Sequence, residues 1–155
     1  MELIRTNKLS ENWKLQILQL WNNEYPEKLN YKSVGAFEAY LENLVAPFHI
    51  LLVDTDKNLK GWYFDFIRED EKWFAIIIDS SLQGDGYGTR LLNLAKEKEP
   101  VLNGWVIDRN EGVKYNGKPY RSPLEFYLKN GFQTIPEIRL ELATLSAVKI
   151  QWNRL

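Results

Sequence analysis

The chain has 155 residues, 45% hydrophobic, 26% charged and 14% aromatic with six Trp, a composition that suits a packed core and excludes a disordered segment. Twenty basic residues against twenty-one acidic ones leave a net charge of −1, too little positive field to hold a nucleic-acid backbone, so no nucleic-acid partner is expected. With no Cys and one His, disulfides, a thiol nucleophile and soft or imidazole-rich metal sites are excluded, and no metal is expected.

The opening Met-Glu-Leu-Ile-Arg-Thr lacks the apolar run of a signal peptide, and no stretch approaches the ~20 apolar residues of a membrane span. A soluble, cytoplasmic protein with no membrane partner is the expectation. Ser10 is placed to cap a helix whose apolar positions Trp13, Ile17, Leu20 and Trp21 recur at helical spacing until Pro26. Ser33 caps a second helix, with Val34, Phe37, Tyr40, Leu41 and Leu44 as its buried stripe before Pro47.

Beyond that point the period changes. Residues 49–54, 61–68 and 73–79 are β-branched and aromatic runs separated by polar turns, which predicts an antiparallel meander. Ala75-Ile76-Ile77-Ile78 does not alternate, so its strand is expected to be central and covered on both faces. A glycine turn follows and opens a helix with Leu91, Leu92 and Ala95 as its apolar face, ended by Pro100. Residues 104–108 return as a strand, giving a β-turn-α-β unit and one parallel contact in a largely antiparallel sheet. Ser122-Pro123-Leu124-Glu125 has the pattern of a capping box for a short helix, and Asn130-Gly131 supplies its left-handed stop. Strands near 137–142 and 147–152 close the chain. The fold class expected is α/β, an α+β mixed sheet, in a single domain over residues 1–155.

The turn Gln83-Gly84-Asp85-Gly86-Tyr87-Gly88 carries the chemistry. Between a buried strand and a helix, its glycines let main-chain N–H groups approach a ligand without a Cβ in the way, and the helix dipole adds to an anion site suited to pyrophosphate. Gly88 is followed by Thr89-Arg90, with no Lys where a P-loop requires one. A dinucleotide fold would use Gly84-x-Gly86 with Asp108 as its ribose acid, but Thr89 holds the third glycine position and too little chain follows Asp108 for further βα units.

Gln83-x-x-Gly86-x-Gly88 resembles the acyl-CoA signature of the GNAT superfamily of N-acetyltransferases: Gln or Arg, two residues, Gly, one residue, then Gly or Ala. Phe126-Tyr127-Leu128-Lys129-Asn130-Gly131-Phe132 resembles that family's Phe-Tyr-x-x-x-Gly-Phe block, and the order of elements agrees along the whole chain. The resemblance implies a GNAT-like acyltransferase fold with acetyl-CoA as co-substrate. It implies that main-chain N–H groups of Gln83, Gly84, Asp85, Gly86, Tyr87, Gly88 and Thr89 cradle the pyrophosphate. Ile78, where the two central strands of this family splay, would offer main-chain groups to the pantetheine arm and thioester carbonyl. Tyr127 takes the position of the general acid that protonates the departing thiolate.

The base is less defined, because the strand position that holds a glutamate in some relatives falls near Lys72, beside Glu71. Deprotonating a lysine-like amine at pH 7 costs roughly 4 to 5 kcal/mol, against about one pKa unit for an α-amino group, so a water relay or a low-pKa acceptor would serve. Asp79 and Asp108 read as solvated strand ends and His49 as structural. Arg90, Lys96 and Lys98 read as phosphate contacts or a solvated helix face. Residues 111–121 are an insertion with the hairpin signal Asn116-Gly117, expected to border the acceptor site through Tyr115 and Tyr120. It displaces Asn110 from the place of the family's helix-leading asparagine. The expected activity is acetyl transfer from acetyl-CoA to a small-molecule or peptidyl amine by direct attack in a ternary complex. The alternative is an acyl-CoA sensor or binding module of the same fold.

Overall fold

A computed structural model describes residues 1–154. Ser10 caps helix α1 (Glu11–Glu24) by accepting the Trp13 N–H at 3.2 Å, and Tyr25 ends it ahead of Pro26. Ile17 and Leu20 are buried on its inner face, each contributing roughly 1.5 to 3 kcal/mol. Ser33 caps helix α2 (Val34–Glu42) through the Ala36 N–H, and Phe37 is its fully buried anchor.

Ahead of α1 lies an edge strand not expected from the sequence, β1 (Glu2–Thr6), paired antiparallel with β2 (Val45–Val53) from Glu2 opposite Val53 to Thr6 opposite His49. Strand β2 begins before Pro47, where the helical stripe had been expected to end. Ala46 takes a φ of +51°, and the register with the next strand breaks between Val45 and Phe48. The proline is thus housed in a bulge. Strands β3 (Leu59–Arg68) and β4 (Glu71–Ile78) complete the meander.

Helix α3 (Tyr87–Lys98) crosses back to β5 (Val101–Val106), which lies parallel to β4. Helix α4 (Leu124–Lys129) precedes the hairpin of β6 (Gln133–Leu142) and β7 (Leu145–Asn153). All seven strands form one sheet in the order β1-β2-β3-β4-β5-β7-β6, antiparallel at every junction except β4 with β5. The expected mixed, largely antiparallel α/β sheet is therefore present.

Alternation along β3 and β4 divides the core between two faces. Trp62, Phe64, Phe66, Trp73 and Ile77 join α1 and α2 on one side. Tyr63, Phe74, Ile76 and Ile78 join Leu91, Leu92 and Ala95 of α3 and Tyr127 of α4 on the other. The central strands are covered on both faces, as the non-alternating isoleucine run predicts. Among the described residues, no helix is long and apolar enough to cross a membrane.

Candidate functional site

Strands β4 and β5 meet at one register only, Trp73 opposite Asn103. The Asn103 side chain fastens them there, donating to the Lys72 carbonyl at 3.1 Å and accepting from Gln151 at 2.9 Å. At the other end of β4, the Asp79 N–H donates to the Lys60 carbonyl of β3 at 2.9 Å. Bonded pairs alternate along an antiparallel ladder. Ile77 and Ala75 therefore turn their main-chain groups toward β3, while Ile78 and Ile76 turn theirs toward β5, where strand pairing has stopped. The Ile78 carbonyl in that gap accepts from Gln83 Nε2 at 3.0 Å. The signature glutamine thus ties the turn to the mouth of the opened sheet.

Within the turn, Gln83 donates its N–H to Ser80 at 3.4 Å and Asp85 donates to Leu82 at 3.3 Å. Among the described residues, the N–H groups of Gly84, Gly86, Tyr87, Gly88 and Thr89 donate to no protein acceptor. Gly84 and Gly86 hold φ values of +89° and +88°, and a Cβ on either would face open space. Gly86 is the N-cap and brings no side chain to the α3 terminus. Open N–H groups and the positive end of a twelve-residue helix together fit a phosphate. Gly88 is different, because a Cβ there would stand 2.8 Å from Phe126 Cζ, so this glycine seats the first aromatic of the second motif. Phe126 is a contact that spacing along the sequence did not reveal.

Tyr127 sits on α4, 6% exposed, edge-on to Phe74 at 5.9 Å, Phe126 at 5.1 Å and Phe132 at 5.5 Å. Gly131, at φ +87°, turns the chain so that the Phe132 N–H reaches the Tyr127 carbonyl at 3.1 Å. Among the described residues the Tyr127 hydroxyl bonds to no protein group, and it is not sealed from solvent either. Burial, reinforced by neighbouring Tyr120, holds its pKa well above the ordinary phenol value. The phenol is a protonated donor over the whole neutral range.

No protein-family model matches the sequence, and no curated protein matches it significantly. Solved structures match along the whole chain. An aminoglycoside 6'-N-acetyltransferase complexed with coenzyme A is 16% identical with a TM-score of 0.72, over 100% of this chain and 98% of that one. A point mutant of the spermidine N-acetyltransferase from Vibrio cholerae is 20% identical with a TM-score of 0.64, over 99% and 95%. An acetyltransferase of the GNAT family from Staphylococcus aureus is 13% identical with a TM-score of 0.68, over 99% and 100%. The fold is that of the GNAT acetyltransferases.

On this GNAT fold the carboxylates near the site are engaged. Asp79 caps the turn after β4, accepting from the Ser81 N–H at 2.9 Å and hydroxyl at 2.6 Å. Burial raises its pKa, but the Ser81 bonds and the charges of Lys60 and Lys114 outweigh that and leave it low. Asp108 is held low first by its hydrogen bonds from Arg139, a bidentate pair at 2.9 and 3.1 Å. Glu71 pairs with Lys149 at 3.2 Å, and Lys72 lies between Asp65 at 3.5 Å and Glu99 at 3.4 Å. Lys98 bonds the same buried Asp65, and Lys96 donates to the Asn130 carbonyl at the end of α4. Of the three basic residues singled out on α3, only Arg90 stands exposed without an ion pair among the described residues. His49 is buried, stacked on Trp62 and Phe64, and its Nδ1 accepts from Trp62 Nε1 at 3.0 Å.

Sequence spacing gave no sign of Glu24. It accepts the Ser80 N–H at 3.0 Å, just past β4, and pairs with Lys114 of the inserted segment at 2.9 Å. That segment is a small hairpin with Val113 opposite Pro119 and a turn closed by the Gly117 N–H on the Lys114 carbonyl, Gly117 at φ +81°. Val113 accepts from the Glu27 N–H at 2.8 Å, docking the hairpin on the end of α1. Tyr120 turns inward at 7% exposure, whereas Tyr115 is 70% exposed at the tip. At the hairpin base, Asn110 Oδ1 accepts the Ser122 N–H at 2.8 Å, taking the place expected for Glu125 in a capping box. The Ser122 hydroxyl accepts from the Leu124 N–H at 3.2 Å and donates to the Ile107 carbonyl. The base of the hairpin is thereby tied to the start of α4.

Proposed function

We propose that residues 1–155 form one N-acetyltransferase domain that transfers an acetyl group from acetyl-CoA to a primary amine of a small molecule or peptide by direct attack in a ternary complex. The observation that carries this reading is the alignment of three uncommitted elements at one end of the sheet. These are the open N–H groups of Gly84, Gly86, Tyr87, Gly88 and Thr89, the β4 edge at Ile76 and at the N–H of Ile78, whose carbonyl Gln83 holds, and the unbonded hydroxyl of Tyr127. Likeness to acetyltransferase structures, one of them complexed with coenzyme A, supports it.

In this reading the turn holds the pyrophosphate, and the β4 edge orders the pantetheine arm and aims an N–H at the thioester oxygen. The amine nitrogen bonds to the acetyl carbon as the carbon–sulfur bond breaks. The nitrogen loses a proton, and the sulfur leaves with its electron pair. A thiolate whose thiol has a pKa near ~8.5 is a weaker base than a phenolate raised by burial, so Tyr127 keeps its proton and stabilises the departing sulfur as a strong hydrogen-bond donor, with the sulfur taking its proton from water as product leaves. With Glu24, Asp79 and Asp108 all engaged, an ammonium acceptor sheds its extra proton to water before attack or the amine enters neutral, and in either case the proton lost on bond formation passes to water. The same engagement favours the second reading, an acyl-CoA sensor of GNAT fold without efficient turnover.

Thiol release from acetyl-CoA across a panel of amines separates them. The transferase reading expects amine-dependent release, with Tyr127→Phe lowering kcat about 10²-fold at unchanged acetyl-CoA affinity. Full kcat in that variant removes the donor role, and acetyl-CoA binding with no amine-dependent release leaves the sensor.

A further inference from the structure

The aromatic residues between the ends of α1 and α2 and the inserted hairpin are not ordinary core. Trp21 is ringed by Tyr25 at 4.7 Å, Tyr31 at 5.3 Å and Tyr40 at 5.7 Å. Tyr120 enters from the hairpin and Tyr127 from α4, both close enough to Tyr25 to add to the rise in its pKa that burial causes. A core tyrosine normally satisfies its hydroxyl, as Tyr63 does here by donating to Asp65 at 2.6 Å. Among the described residues, the hydroxyls of Tyr25, Tyr31, Tyr40, Tyr120 and Tyr127 bond to no protein group, yet none is among the sealed, unpartnered atoms. Five phenol oxygens without a protein partner therefore gather along one aromatic wall.

That wall is fixed in place. Asn22 holds the Tyr31 main chain from both sides, accepting its N–H at 2.9 Å and donating to its carbonyl at 3.1 Å, and Trp21 Nε1 donates to the Leu29 carbonyl at 3.1 Å. Beside Tyr31, the Asn30 side-chain oxygen is buried with no donor. The wall adjoins the proposed acetyl end, because Glu24, next to Tyr25, accepts from the Ser80 N–H at the exit of β4. Its charges are already paired: Glu24 with Lys114, and Asp79 with the Ser81 N–H and hydroxyl. A polycation would need free carboxylates for its distal ammonium groups, whereas flat rings and phenol hydroxyls suit an aromatic body.

Resting on the transferase reading above, we infer that the acceptor is a primary amine carried on an aromatic body with no second positive charge, seated against Tyr25, Tyr31 and Tyr120. The test compares 2-phenylethylamine with spermidine as acceptors at saturating acetyl-CoA. The expected kcat/KM is at least about tenfold higher for 2-phenylethylamine, an advantage one well-formed contact provides. Tyr25→Ala should remove that preference by raising the KM for 2-phenylethylamine. Tyr25→Phe, which keeps the ring and the packing, should raise it less, with acetyl-CoA affinity unchanged in both. A preference for spermidine, or an unchanged KM in Tyr25→Phe and Tyr25→Ala together, overturns the inference and leaves the transferase reading standing. Acetyl-CoA binding without turnover of any amine overturns both.

Discussion

At the scale of single residues, environment decides role more firmly than residue type does. Two tyrosines that both pack on Phe74 differ in this way: Tyr63 is committed to Asp65, and Tyr127 is not. His49 shows the same principle for stability. Burial depresses its pKa to about 4, with the charge of Asp65 pulling the other way, against about 6.5 for an unfolded histidine. Between those values the unfolded chain takes up a proton that the folded chain refuses. The stability this represents is fully present above pH ~6.5 and is lost as pH falls toward ~4, an effect of about 3 kcal/mol. Chemical unfolding of His49→Gln should show a smaller decline across that window than the parent protein. Equal declines would mean that His49 does not carry the acid sensitivity. The histidine is legible as structural from the sequence, but its acceptor role toward Trp62 is not, because the two lie thirteen positions apart on different strands.

Secondary elements bring the site together, and the hairpin between β5 and α4 docks on the end of α1. Its latch is the Glu24–Lys114 pair, with the two side chains only 9% and 14% exposed. Lys114→Met leaves a largely buried carboxylate without its partner, at an expected cost of roughly 1 to 3 kcal/mol, below that of a fully buried pair. The hairpin account expects the KM for the amine to rise while acetyl-CoA affinity holds. An unchanged amine KM, or a parallel loss of acetyl-CoA affinity, would contradict it. The hairpin's existence is readable from Asn116-Gly117, and so is the inward or outward question for its tyrosines, though not the answer: Tyr120 is buried and Tyr115 is exposed. Glu24 escapes detection because residues 24, 80 and 114 meet only in the folded chain. Strand β1 escapes as well, since a five-residue edge strand with Glu2 and Arg5 exposed carries little apolar pattern. Pro47 misleads because it marks a bulge inside β2 and not a helix stop.

Across the whole molecule, the long periodic elements and the two motifs are what the sequence makes legible, since each depends on local spacing. The opening between β4 and β5 depends on pairing that stops after Trp73 and Asn103, and only the assembled sheet displays that. One end of a seven-stranded sheet then gathers the open turn, the unpaired β4 edge and Tyr127, with the tyrosine wall alongside. The central claim is that this end binds acetyl-CoA. Thermal unfolding with and without acetyl-CoA tests it most directly. At about 100 times its dissociation constant the ligand should stabilise the fold by about 2.7 kcal/mol, raising Tm by roughly 5 to 10 °C for a chain of this length. An unshifted Tm at millimolar acetyl-CoA would contradict the account.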